Sequence, residues 1–172
     1  AWGVYHKGIG LPATTDGGLV LNTTAATNTA SDWWASTNPT NTVFSLGNKD
    51  TVNPSGSKTM ICYAWTPIAG YSAFGTYSDD IFVYTGFRPK WLLIKAKDAS
   101  QDWWIFDTQR DSLNPNLTVL VSNEDDAEST ITGGIDFLSN GFNVRSTSGE
   151  IGSSSYNYIY AAFAEHPFKT AR

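Results

Sequence analysis

The sequence has a single cysteine, Cys62, so no disulfide can form within one chain. Its place inside Met60-Ile61-Cys62-Tyr63-Ala64-Trp65 predicts a small buried hydrophobe rather than a reactive thiol. Uninterrupted apolar runs stop at five to seven residues, far short of the roughly 20 that a membrane helix needs. No charged, apolar, small-residue leader opens the chain, which starts at Ala1-Trp2-Gly3-Val4-Tyr5 as if already inside a strand; the expectation is a fragment of a longer chain. Charge is scarce: 16% of residues, with no Lys/Arg cluster, a net charge of −5 and a pI near 4.8. Without a basic patch there is no electrostatic footing for counterion-release binding, so nucleic acid is excluded as a partner.

Reactive chemistry is equally thin. The two histidines, His6 and His166, lie near opposite ends, and no cysteine or carboxylate spacing supports a metal or nucleophile-base role for them; they read as structural. The acidic stretch Asn123-Glu124-Asp125-Asp126-Ala127-Glu128 lacks the alternating ligands and central glycine of an EF-hand loop and reads as a solvated loop. There is no phosphate-cradling glycine loop, Gly-x-Ser-x-Gly elbow or Cys-x-x-Cys. The expectation is a protein that is not an enzyme and that carries no cofactor or metal.

What fills the chain instead is Thr, Ser, Asn and Gly between short apolar or aromatic runs, the texture of strands joined by polar turns. Strands are predicted at 2–7, 18–22, 42–46, 58–66, 81–85, 90–96, 103–107, 117–122, 134–138, 141–145 and 156–164. Little helix is expected, apart from one turn that the Ala-rich stretch from Asn22 to Trp34 could hide. The fold class is therefore all-β, a β-sandwich or sandwiches.

An internal repeat gives this reading its order. The run from Val43 to Trp65 matches the run from Gly141 to Phe163 without gaps, each residue lying 98 positions further on, and a Ser- and Gly-rich turn sits between the strands of each copy. Upstream, Val4-Tyr5-His6-Lys7 matches Leu92-Leu93-Ile94-Lys95. The prediction is one β-rich domain, residues 1–172, built from two duplicated halves, 1–78 and 79–172. Along 58–66 one face carries Thr59, Ile61, Tyr63 and Trp65 and the other Met60, Cys62 and Ala64. Two apolar faces predict a strand covered on both sides, in the middle of a packed sandwich or at a subunit interface.

Aromatic residues, 14% of the chain, are the one surplus that points to a ligand, since Trp and Tyr stack on sugar rings and dominate protein interfaces. In the adjacent pairs Trp33-Trp34 and Trp103-Trp104 neighbouring side chains on a strand face opposite ways, which predicts one buried and one exposed ring in each pair. These four residues are the candidate binding positions, for a glycan or a protein partner, with core packing as the competing role.

Several strings, among them Val4-Tyr5-His6-Lys7-Gly8, Gly70-Tyr71-Ser72-Ala73-Phe74-Gly75, Val83-Tyr84-Thr85-Gly86-Phe87-Arg88-Pro89 and Tyr160-Ala161-Ala162-Phe163-Ala164-Glu165-His166-Pro167-Phe168, resemble a domain of unknown function in bacteriophage structural proteins. Such domains are common in marine and environmental phages, often after a lectin-like sandwich in a larger tail or fibre protein. The resemblance implies a virion component of the extracellular phage particle, a tail fibre or other appendage that contacts the host surface. It also implies a homo-oligomer, with a trimer favoured, and it brings no catalytic residues with it. Two other functions compete: a carbohydrate-binding, lectin-like module and a tailspike-type glycan depolymerase. The last would need two carboxylates roughly 5 to 9.5 Å apart across a groove.

Overall fold

The computed structural model describes residues 1–9, 16–29, 32–56, 58–78 and 82–167. Ten strands follow one another: β1 (Gly3–Val4), β2 (Leu19–Val20), β3 (Ser72–Tyr77), β4 (Phe82–Tyr84), β5 (Pro89–Ala96), β6 (Trp103–Asp107), β7 (Asn116–Val121), β8 (Ser129–Leu138), β9 (Gly141–Val144) and β10 (Tyr158–Ala164). The one helical element among the described residues is a 3-10 turn at Lys7–Ile9. The chain is all-β, as its composition predicts. Strands β1 and β2 form a small antiparallel pair, and the other eight form one sheet in the order β3-β10-β5-β6-β7-β8-β9-β4, nearly closed into a barrel.

Alternation places the core. Leu92, Ile94 and Ala96 of β5, Trp104 and Phe106 of β6, and Tyr158, Tyr160 and Ala162 of β10 point into the barrel, where they meet Val119, Ile135, Phe137, Phe142 and Val144 of β7, β8 and β9. Phe142 stands edge-on to both Tyr77 and Tyr160 and joins the opposing walls. The outward-facing set of the same strands, Ile159, Trp103 and Leu93, is covered by Ile9, Leu19, Val4 and Leu21 from the first 21 residues. Strands apolar on both faces are thus covered on both faces, inside by the barrel core and outside by the N-terminal segment.

Side-chain donors from β5, β6 and the turn between them help to hold that cover. The Trp103 indole donates to the Val20 carbonyl (3.0 Å), the Lys97 ammonium to the Gly8 carbonyl (3.1 Å), and the Lys95 ammonium to the carbonyls of Thr24 (3.1 Å), Ala96 (2.6 Å) and Ala99 (3.1 Å). Lys95 is fully buried, and loss of water around its ammonium lowers its pKa to about 8, partly offset by Asp102 and Asp98. Three carbonyls satisfy all three of its donors, which is how a buried cation with no contacting carboxylate is accommodated.

The expected duplication is not carried into the fold. Residues 141–163 hold β9 and β10, whereas the matching residues 43–65 form no strand and are largely exposed. Likewise Leu92–Lys95 lies in the eight-residue β5, while Val4–Lys7 contributes only to the two-residue β1. Local alternation makes a segment capable of being a strand; a neighbouring edge makes it one. Strand β10 has β3 on one side and β5 on the other, but no hydrogen bond reaches residues 58–65 among those described. The neighbour of β10 on the side away from β5 is β3, a strand absent from the sequence prediction.

Candidate functional site

Residues 58–69 form an exposed arm between two anchored turns. On one side, Val52 and Asn53 donate their backbone N–H groups to the Lys49 carbonyl. On the other, Ile68 bridges to Ser72 and the Ser72 hydroxyl donates to the Thr66 carbonyl (2.9 Å), fixing the arm to the start of β3. Every residue from Lys58 to Ala69 is exposed, although Thr59–Ala69 carries no charge and is mostly apolar. Met60 is 50% exposed, Ile61 70%, Tyr63 63% and Trp65 63%. Trp2, itself half-exposed, joins them: its ring lies 6.3 Å from that of Tyr63 at 26°, and Tyr63 lies 6.1 Å from Trp65 at 21°. The three rings make a row of near-parallel planes with Tyr63 in the middle.

The four aromatic residues predicted as binding positions lie elsewhere, and three are removed from solvent. Trp103 is sealed under the N-terminal cover and Trp104 inside the barrel. Consecutive strand residues do face opposite ways, as expected, but both faces of β6 are covered, so neither ring reaches the surface. Trp33 is 1% exposed, with the Lys49 ammonium 5.8 Å above its ring. Trp34 is half-buried; its indole donates to the Gly17 carbonyl (2.9 Å) and its ring meets Tyr5 edge-on. Asp32, Ala35 and Ser36 around this pair adopt positive φ of 81°, 54° and 50°, a region that residues with a Cβ rarely occupy. Buried Asp16 compensates by accepting hydrogen bonds from the backbone N–H groups of Trp34 and Ser36. The Trp33-Trp34 loop is thus built around packing, with the Trp33 ring sealed from solvent and the Trp34 ring partly covered.

Cys62, predicted to be buried, is exposed in the middle of the arm. The signal for the exposed row was present in the sequence: a strand-like segment apolar on both faces needs a cover, and a subunit interface was one of the two covers foreseen. His6 serves structure. Its Nδ1 accepts from the Gly8 N–H (2.9 Å), so the proton sits on Nε2, which donates to the Tyr160 carbonyl (3.1 Å). Burial lowers its pKa, opposed by the hydrogen bond to the Tyr160 carbonyl and aided by the Lys97 charge. Among the described residues, no group of three or more His, Cys, Asp or Glu side chains is placed to hold a metal ion.

Comparison with known families matches residues 1–167 to the family described as a domain of unknown function, DUF7483. The chain belongs to the DUF7483 family. The match covers the barrel, the N-terminal cover and the arm together, so all three belong to one family unit of this length. No curated protein and no solved structure matches this DUF7483 chain.

Proposed function

We propose that this DUF7483 domain is a non-catalytic structural component of a bacteriophage virion, part of a tail fibre or other appendage, that works in assembly and host-surface attachment. One observation carries the reading: a strand-like arm, uncharged from Thr59 to Ala69, with a row of three aromatic rings stands exposed on a body that buries most of its other large apolar side chains. Contiguous apolar surface of this kind marks a contact surface. The similarity to phage structural domains supplies the setting, and a homo-oligomer among other virion proteins is the form in which such a surface is covered. Immunogold labelling and virion proteomics on the phage that encodes the chain test the proposal. Label and peptides should both be found in purified particles; their absence from particles, with the protein present in infected cells, defeats it.

A second reading rests on the same rings. Trp2, Tyr63 and Trp65 are half-exposed or more, and indole and phenol faces stack on sugars, so a carbohydrate-binding module is the alternative. A glycan array settles between the two readings: a hit that is lost in Trp65→Ala favours the sugar, and an array without hits removes it.

A further inference from the structure

A strand-capable arm without a partner implies an edge that it fits, and the same chain presents one. The sheet ends in β3 and β4. The 3-10 turn packs on β3. The free side of β4 has no strand beside it among the described residues, and its outward side chains Phe82 and Tyr84 are 41% and 68% exposed. Natural sheets blunt such edges with lysine, proline or a bulge. Residues 82–87, Phe-Val-Tyr-Thr-Gly-Phe, contain no charge and no proline.

We propose that the arm, residues 58–66, adds as a strand to the free edge of β4 in a second copy of this chain. The inference rests on the assembly part of the proposed function and names the surface and its occupant. Three observations favour a second copy over other occupants. First, the arm and the edge are complementary and lie on one molecule, each supplying the unpaired backbone and apolar side chains that the other lacks. Second, the chain carries a net charge of −5, which opposes self-association, and Thr59–Ala69 and 82–87 are uncharged stretches where two copies meet with the least opposition. Third, Trp2, Met60, Ile61, Tyr63 and Trp65 together expose on the order of 600 Å², against the roughly 800 Å² that each partner buries in a standard interface. On the other partner the added strand covers Phe82 and Tyr84.

The ring geometry argues against a sugar on the middle ring of the row. Stacking on a pyranose uses an open ring face. In the row described above, Tyr63 has a near-parallel ring on each side, Trp2 and Trp65, and so offers its edge outward rather than its face. Arm and edge are different patches, which makes the contact heterologous; repeated around an axis, it closes as a ring of copies.

Cys62, the only thiol, lies within the arm and reports on its burial without engineering. Light scattering on the full chain should show an oligomer that dissociates on dilution, and the reaction of Cys62 with an aromatic disulfide reagent should slow about tenfold or more in the assembled form. Ile61→Asp, on the arm, and Tyr84→Lys, on the edge, should each give a monomer with unchanged circular dichroism, because both side chains are exposed in the isolated chain. Mixing the two variants should restore a 1:1 dimer and nothing larger, since each keeps one intact patch. A wild-type chain that stays monomeric at its highest soluble concentration, with Cys62 freely reactive, overturns the inference; so does an oligomer that survives either substitution, or a mixture that does not pair. If a variant fails to fold, the wild-type thiol protection still decides. These failures leave the virion proposal standing, because immunogold labelling tests that separately.

Discussion

Residues 58–66 and 158–164 carry closely similar alternations of apolar side chains, yet one stretch is an exposed arm and the other, β10, lies in the sheet with strands on both sides. Tyr158 and Ala162 of β10 have no measurable exposure, whereas Tyr63 and Trp65 are nearly two-thirds exposed. The difference lies outside the two segments: β10 has β3 and β5 to complete its hydrogen bonds, and the arm has no such neighbour among the described residues. Strand propensity is thus a capacity that the surroundings either use or leave unused.

That contrast can be broken at several points. The largest effect should come from the barrel core. Phe106→Ala removes a fully buried ring and should cost about 3–5 kcal/mol in urea unfolding. Next, Trp103→Leu keeps an apolar residue under the N-terminal cover but loses the ring volume and the hydrogen bond to Val20. A loss of about 2 kcal/mol is expected, with faster hydrogen exchange confined to residues 1–21 and β6. Asp16→Ala leaves the N–H groups of Trp34 and Ser36 without their acceptor and should cost about 2 kcal/mol; Asn at this position should recover part of it.

A smaller effect follows from His6. Burial lowers its folded-state pKa below the ordinary histidine value of about 6.5, so between the folded value and about pH 6.5 the unfolded chain holds more protons. Its stabilising contribution is complete above that window and is lost as pH falls through it. Melting temperatures from pH 8 down to about pH 5 should therefore drop more for wild type than for His6→Gln, which keeps a donor toward the Tyr160 carbonyl but does not titrate. Equal slopes would show that the ring is not desolvated. The smallest effect belongs to the arm: Tyr63→Ser should change the unfolding free energy of the isolated chain by about 0.5 kcal/mol, because most of the side chain is already in water and only its contacts with Trp2 and Trp65 are lost. A loss comparable to that of Phe106→Ala would mean that the arm is packed within its own chain, and the contrast would collapse.

Much of the barrel was legible in the sequence. The predicted strands 90–96, 103–107, 117–122 and 141–145 coincide with β5, β6, β7 and β9 to within a residue at either end, because alternation and turn residues bound them clearly. Strand β8 begins at Ser129, earlier than its predicted start at 134; Gly133, which lay outside the prediction, and Gly134 both sit inside it at φ of 85° and 65°, where the register with β7 shifts. Strand β3 was missed because Ser72-Ala73-Phe74-Gly75-Thr76-Tyr77 is rich in small residues. Gly75 is needed there, for a Cβ at that position would meet the Tyr160 ring. The site was legible only in part: the apolar faces of 58–66 were visible, with a central strand or a subunit interface as the two covers expected, but three of the four tryptophans singled out for binding are ones the fold hides. Adjacent aromatic residues say which faces of a strand they occupy. They do not say whether both faces are covered, which depends on the N-terminal segment folding back over β6.

The uneven placement of the seven tryptophans gives the native chain two optical signals. Indoles locked in the interior, at Trp33, Trp103 and Trp104, should emit toward the blue and resist collisional quenchers. Those at Trp2 and Trp65 should emit toward the red and be quenched readily. Unlabelled protein can therefore report separately on the integrity of its barrel and on whatever happens to its arm, within a single emission spectrum.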